Sequence, residues 1–360
     1  MTKFSTAVTA FAGAAALVVA GCGQEKRPAP KIPSPPTQQQ LIDTASNGVV
    51  AIKARTENGV SIGTGWVVGP REIITSDHVV RGAKNMKVRF KDGTVVPARI
   101  DGESVCNDRA RLVLTEDVPK TTILPMADGS LLEPGSQLTL LHYGTSAVKR
   151  FGTEQMSVSP LTVSNPRVVN ADLGLSFPRI TDLVQLQGVV PAGASGGPVL
   201  TPSGEMAGMV FGGDNDQPQA YAISVAQIRQ ALSELRAGSR KDSIGVDLVS
   251  IREINLQSLF RHHPIYRSSV GREIERHLQR FGLHGMFVAS VEENSPSAGK
   301  LIFGDMITRV NGVRIRSMRG FCGIAQSASP GEKLTIHGIT IYSAGRLTLR
   351  EWKVRVRLRG

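Results

Sequence analysis

The sequence predicts a mainly β protein with two folded domains, and three observations carry that reading. Glycine (38 residues) and proline (20) are abundant in the 360 while aromatics make up only 5%, and the first two disfavour helix interiors. Short apolar runs at 49–54, 65–68, 72–75, 86–90, 95–100 and 112–114 are punctuated by Gly, Pro, Asn or Asp, the pattern of a sandwich or barrel. With 41% hydrophobic and 20% charged residues, the length allows two cores of ordinary size and excludes a disordered chain or a polytopic membrane protein.

Residues 1–21 read as an export signal: Lys3 precedes an apolar stretch from 7 to 20 that is short for a permanent span. It closes on Val19, Ala20, Gly21 and Cys22, which resembles a bacterial lipobox and implies acylation of Cys22. Residues 22–46 then form a tether, with Pro28, Pro30, Pro33, Pro35 and Pro36 in an extended, aperiodic stretch. Cys106 and Cys322 lie far apart, in what read as separate domains, so both are expected as free thiols.

No strong helical pattern precedes Ser224. From there Val225, Ile228, Ala231, Leu232 and Leu235 fall at helical spacing. A short polar linker, 238–243, follows. Residues 239–360 hold 20 basic and 10 acidic residues, which is +10 of the chain's +12. Such asymmetry suits an anionic partner or a solvated basic surface. A nucleic-acid role is not expected, because no aromatic stacking platform accompanies the charge and the chain carries an export signal.

Three local features carry chemistry. Ser195 is flanked by glycines in Gly193, Ala194, Ser195, Gly196, Gly197, a tight turn whose Gly193 and Ser195 N–H groups could converge as an oxyanion hole. His78 follows a β-like run, and Asp108 opens another. Each is ordinary alone. Together they give the order His, Asp, Ser, the order of chymotrypsin-type β-barrel proteases.

With these motifs the chain resembles the HtrA/Deg family, trypsin-like serine proteases carrying PDZ domains. The resemblance rests on Gly63 to Val68, on the segments around His78 and Asp108, on 193–200, and on 204–213 with 220–224. It implies a chymotrypsin-like double β-barrel at 47–238 and one α+β PDZ domain at 239–360. It also implies that Ser195 is the nucleophile, His78 the general base and Asp108 its orienting partner, with Asp101 the second choice of acid. Ala194 stands where the family usually has Asn. Between Gly23 and Gly65 there is none of the aromatic residues that commonly staple the family's trimers, so a homotrimer is left in doubt.

In the second domain Ile244, Gly245 and Val246 resemble the PDZ carboxylate-binding loop, where backbone N–H groups receive a C-terminus. Residues 317–325 would be the groove helix, with Phe321 and Ile324 facing the peptide. A basic insertion at 261–283 holds His262 and His263, too few ligands for a metal. No metal and no cofactor is expected. Val189, Pro191, Met209 and Phe211 would lie near the specificity pocket, which has no acidic floor, so small apolar side chains are expected before the scissile bond. The expected function is a lipid-anchored serine endopeptidase on the periplasmic side of a bacterial envelope, cleaving unfolded or signalling proteins. The alternative is a proteolytically silent chaperone or peptide-binding scaffold.

Overall fold

A computed structural model describes residues 36–56, 59–128, 132–144, 151, 155–169, 171, 173–213, 218–254, 282, 284–343 and 347–359, with side chains of 341–343 and 347 left aside. Cys22, the signal segment, most of the tether and all but residue 282 of the basic insertion lie outside the described residues.

The first element, helix α1 (Gln38–Ser46), departs from the expectation of a tether without helix. Its signal is a Thr-x-x-Gln capping box. The Gln40 N–H donates to Thr37 Oγ1 at 3.3 Å and the Thr37 N–H donates to Gln40 Oε1 at 2.8 Å, so two orphan donors of the first turn are satisfied reciprocally. The prolines just upstream obscure it.

Six strands then close the first barrel: β1 (Val49–Thr56), β2 (Gly59–Gly69), β3 (Glu72–Thr75), β4 (Asn85–Arg89), β5 (Val95–Ser104) and β6 (Arg109–Leu114), in the order β1-β2-β3-β6-β5-β4. Helix α2 (Asp77–Val80) is a single turn after β3. A second closed barrel follows from β7 (Gln137–His142), β8 (Ser157–Val168), β9 (Leu183–Gln187), β10 (Pro198–Leu200), β11 (Met206–Gly213) and β12 (Gln219–Ser224), in the order β10-β11-β12-β9-β8-β7. This is the expected chymotrypsin-like double barrel. Helix α3 (Val225–Arg236) closes it, with Ser224 as N-cap.

The pleat explains why the strands read as unbroken apolar runs. In β1 one face sends Val50, Ile52 and Ala54 inside the first barrel with Ile73, Val88 and Leu112. The other face sends Val49 and Ala51 into the core shared with Trp66, Leu141, Met209, Phe211 and Ile228. A strand buried on both faces loses its alternation.

Counting each barrel as a domain, the third domain, which is the second of the two the sequence predicts, is an antiparallel sheet of β13 (Val246–Ser250), β14 (Met286–Val291), β15 (Asp305–Val310), β17 (Lys333–Ser343) and β18 (Leu347–Arg357), with the short β16 (Val313–Arg314) paired to β15. Helix α4 (Met318–Ser327) buries Met318, Phe321, Cys322 and Ala325 against Leu248, Val288, Ile336 and Val356 of the sheet.

One expectation about the joint between domains is overturned. Cys106 and Cys322 are not free thiols: they form a disulfide, with Cα atoms 5.4 Å apart, because the 310 turn Val105–Asn107 before β6 abuts α4. The polar linker is buried at its end. Asp242 and Ser243 are buried at 2% and 3% exposure. Arg240 pairs with Glu103 and Glu292, each at 2.8 Å, and Arg359 reaches the same two carboxylates at 3.3 and 2.7 Å. Part of the basic excess of this half is therefore spent inside the protein, on charges facing the first barrel.

Candidate active site

His78 lies in α2, directly after β3, and is locked to Asp108 twice. Its backbone N–H donates to Asp108 Oδ1 at 2.8 Å, and Nδ1 lies 2.8 Å from Oδ2. Asp108 has no solvent exposure, whereas the His78 side chain is 26% exposed. Burial acts to raise the Asp108 carboxyl, but His78 and Arg81 outweigh it and hold it below its ordinary range. The ionised carboxylate can only accept, so Nδ1 carries the proton and Nε2 is left as the base. For His78, burial disfavours the charged ring, yet the Asp108 carboxylate prevails and lifts its pKa above the ordinary value.

Beneath the imidazole, Phe177 and Phe211 meet it edge-on at centroid distances of 5.7 and 6.1 Å and contact each other at 5.3 Å. Phe211 thus packs against the His78 ring. Val189 is 70% exposed, while Met209 is fully buried in the core between barrels.

The Ser195 loop is tied to β2 through Thr64. The Thr64 N–H donates to the Ser195 carbonyl and its hydroxyl to the Gly193 carbonyl, both at 2.9 Å, while the Tyr143 N–H donates to Thr64 Oγ1 at 2.9 Å. The Thr75 hydroxyl then donates to the Thr64 carbonyl at 2.7 Å, joining the serine loop to β3, whose last residue lies three before His78. In the sequence the signal for Thr64 is its position between Gly63 and Gly65. Gly196, at φ +83°, shows how tight the crossing is: a Cβ there would lie 2.2 Å from the Thr64 carbonyl oxygen.

The Ala194 N–H donates to the Pro191 carbonyl at 3.1 Å and Gly193 has φ +90°, the signature of a type II turn. Among the described residues no hydrogen-bond acceptor takes the Gly193 or Ser195 N–H, and none joins Ser195 Oγ to His78. Ala194 is fully buried in the core of the second barrel, so a polar side chain in its place would have to be satisfied there.

Asp101, the second choice of acid, is engaged elsewhere, in ion pairs with Arg99 and Arg111. Arg81, overlooked in the sequence, is 5% exposed and faces Asp77 at 2.6 Å, Asp108 at 3.9 Å and Asp247 of β13 at 3.6 Å.

The expected peptide-binding residues of the third domain come together, but inside. Ile244, Val246 and Phe321 are 2%, 4% and 2% exposed, Gly245 is buried and Ile324 partly so. The Gly245 N–H already donates to Ser243 Oγ at 3.1 Å. Val105 and Cys106 pack into the same cluster as Ile244, Val246 and Phe321.

The trypsin-like peptidase domain family matches residues 63–209. A probable periplasmic serine endoprotease, DegP-like, of Brucella suis is 25% identical over 288 residues, covering 78% of this chain and 50% of the relative. The serine protease HTRA1A of Danio rerio is 26% identical over 295 residues, covering 77% and 55% respectively. The crystal structure of the serine endoprotease from Yersinia pestis aligns over 91% of this chain and 99% of that one, at 16% identity and a TM-score of 0.48. The chain spans about half the length of these curated relatives. The matched domain and the double barrel define a trypsin-like serine peptidase fold. Within that class, the curated relatives it resembles are named HtrA and DegP-like serine proteases.

Proposed function

We propose that the protein is a serine endopeptidase that uses Ser195, His78 and Asp108. The observation that carries the reading is the double hydrogen bond from His78 to Asp108, just past the strand β3 that Thr64 ties to the serine loop. His78 Nε2 takes the Ser195 proton as Oγ attacks the scissile carbonyl, and Asp108 stabilises the imidazolium that forms. The Gly193 and Ser195 N–H groups receive the oxyanion. The imidazolium then protonates the leaving amine, and water cleaves the acyl-enzyme through the same base.

The substrates are unfolded or signalling proteins, and the location is the periplasmic side of a bacterial envelope, anchored through acylated Cys22. Support comes from the lipobox-like residues and from the Brucella relative's name, a periplasmic serine endoprotease. The third domain is read as a PDZ domain receiving protein C-termini: β13 is an edge strand of its sheet, the position to which a peptide adds, although the Ser250 N–H is already taken by Ser176 Oγ at 2.9 Å.

The test is to incubate the full chain with unfolded casein and with a serine-directed fluorophosphonate probe. Labelling of the wild type but not of Ser195→Ala, together with casein cleavage, is the expected result. A wild type that is neither labelled nor proteolytic, with or without C-terminal peptides, establishes the silent scaffold instead.

A further inference from the structure

Asp108 stands in the left-handed region, at φ +49° and ψ +50°. That region is costly for a residue with a Cβ, although Asp tolerates it better than most, and such a conformation persists when its surroundings over-determine it. The turn's own hydrogen bond, from the Asp108 N–H to the Val105 carbonyl, is long at 3.4 Å. The stronger restraints arrive from the other domain.

The Asp242 carboxylate accepts three donors from the segment that leads into Asp108: the Val105 N–H at 3.0 Å, the Cys106 N–H at 3.1 Å and the Ser104 hydroxyl at 2.8 Å. Hydrogen bonds to an ionised acceptor are about twice as strong as neutral ones. Cys106 is also bonded covalently to Cys322 on α4, and the Val105 and Cys106 side chains lie in the third domain's core, not the barrel's. One residue upstream of Ser104, Glu103 is gripped by Arg240 and Arg359.

We propose that Asp242, together with the Cys106–Cys322 disulfide, positions the acid of the catalytic triad, so that the third domain is part of what aligns His78 for cleavage. The proposal rests on the triad reading above. A reducible bond then sits two residues from Asp108, and thiol reduction would slacken the same turn.

Interdomain glue alone would alter stability and leave turnover intact, so the test reads turnover. In the full chain, with labelled casein as the probe substrate, Asp242→Asn places an amide where three donors need acceptors. It should lower kcat by about tenfold or more and leave KM within about twofold, the kind of loss a small misplacement produces. The acid limb of the pH profile should move down, as His78 loses contact with Asp108. The downfield proton resonance of the His78 Nδ1–H should broaden or shift. Reduction by a phosphine should lower wild-type kcat several-fold and leave a Cys106→Ser, Cys322→Ser double variant unchanged. Lys241→Ala, which breaks an exposed pair with Glu234 on the same linker, should match the wild type.

A folded Asp242→Asn protein with wild-type kcat, acid limb and proton resonance overturns the proposal. If that variant does not fold, Ser104→Ala decides, removing one of the three donors: a two- to threefold loss of kcat supports the proposal and no loss overturns it. Ser195→Ala separates the two readings. If it still cleaves casein, the triad itself is wrong; if it is dead while Asp242→Asn is fully active, only the positioning role falls.

Discussion

Asp247 of β13 lies 3.6 Å from Arg81, a buried cation that also faces Asp77 and Asp108. A carboxylate of the third domain thus shares its counter-ion with the acid beside His78. Removing Arg81 as Arg81→Met would leave three carboxylates around a buried, uncompensated site. Breaking a buried pair by removing one partner costs about 3–5 kcal/mol, so the urea midpoint should fall steeply. Asp247→Asn should cost much less, because Asp247 is partly solvated and Arg81 keeps two partners. Equal losses in the two variants would mean that the arginine is not shared in this way.

The His78–Asp108 pair sets two pH dependences. Cleavage needs neutral His78, so kcat/KM should rise with pH through a value above the ordinary 6.5, because Asp108 lifts the imidazole. For stability, the raised histidine contributes fully below about 6.5, and its contribution is lost as pH rises through the raised value. Asp108, held below its ordinary value of 3.8, contributes above 3.8, and that part is lost as pH falls through the depressed value. The stability gap between wild type and His78→Gln should therefore be widest between about pH 4 and 6.5. Urea titrations across the range check this, and a gap that grows above pH 8 contradicts it.

Thr64→Val keeps the shape of the side chain but deletes the hydroxyl that donates to Gly193 and accepts from Tyr143. Losing buried partners of this kind costs about 1–3 kcal/mol, and the serine turn should be freer to flip. Fluorophosphonate labelling should slow markedly, and Thr64→Ser should restore it. Normal labelling in Thr64→Val would show that the loop is held by other contacts.

Cys22→Ser should release the protein from membranes and stop lipid labelling in a bacterial host, since two or more acyl chains are what make such an anchor stable. Unchanged fractionation with persistent acylation would refute the lipobox reading.

The strands of the first barrel, α3 and α4 were legible because each leaves a local mark, an apolar run or a helical spacing, and the candidate Ser195 stands out in the same way among glycines. The joint between domains was not. Cys106 and Cys322 are separated by 216 residues, and sequence separation says nothing of distance once domains pack. Asp242 sits among Arg240, Lys241 and Ser243 and has the composition of a solvated linker. Only the fold shows that it accepts three hydrogen bonds. Helix α1 was missed for the opposite reason: its capping box was in plain view, but next to prolines.

The order in which the chain is made gives the disulfide one more consequence. Domains fold from the N-terminus during synthesis, so both barrels and the His78–Asp108 pair emerge long before Cys322. Until the last domain arrives, Cys106 has no partner and the turn before Asp108 lacks the Asp242 carboxylate. A nascent chain would therefore complete both barrels while the turn before Asp108 still lacks its restraints, and the final domain would serve as the closing step of its own folding. Chain entropy alone would make that closure stabilising by about 5 kcal/mol for so long a loop, enough to make assembly effectively one-way in an oxidising compartment.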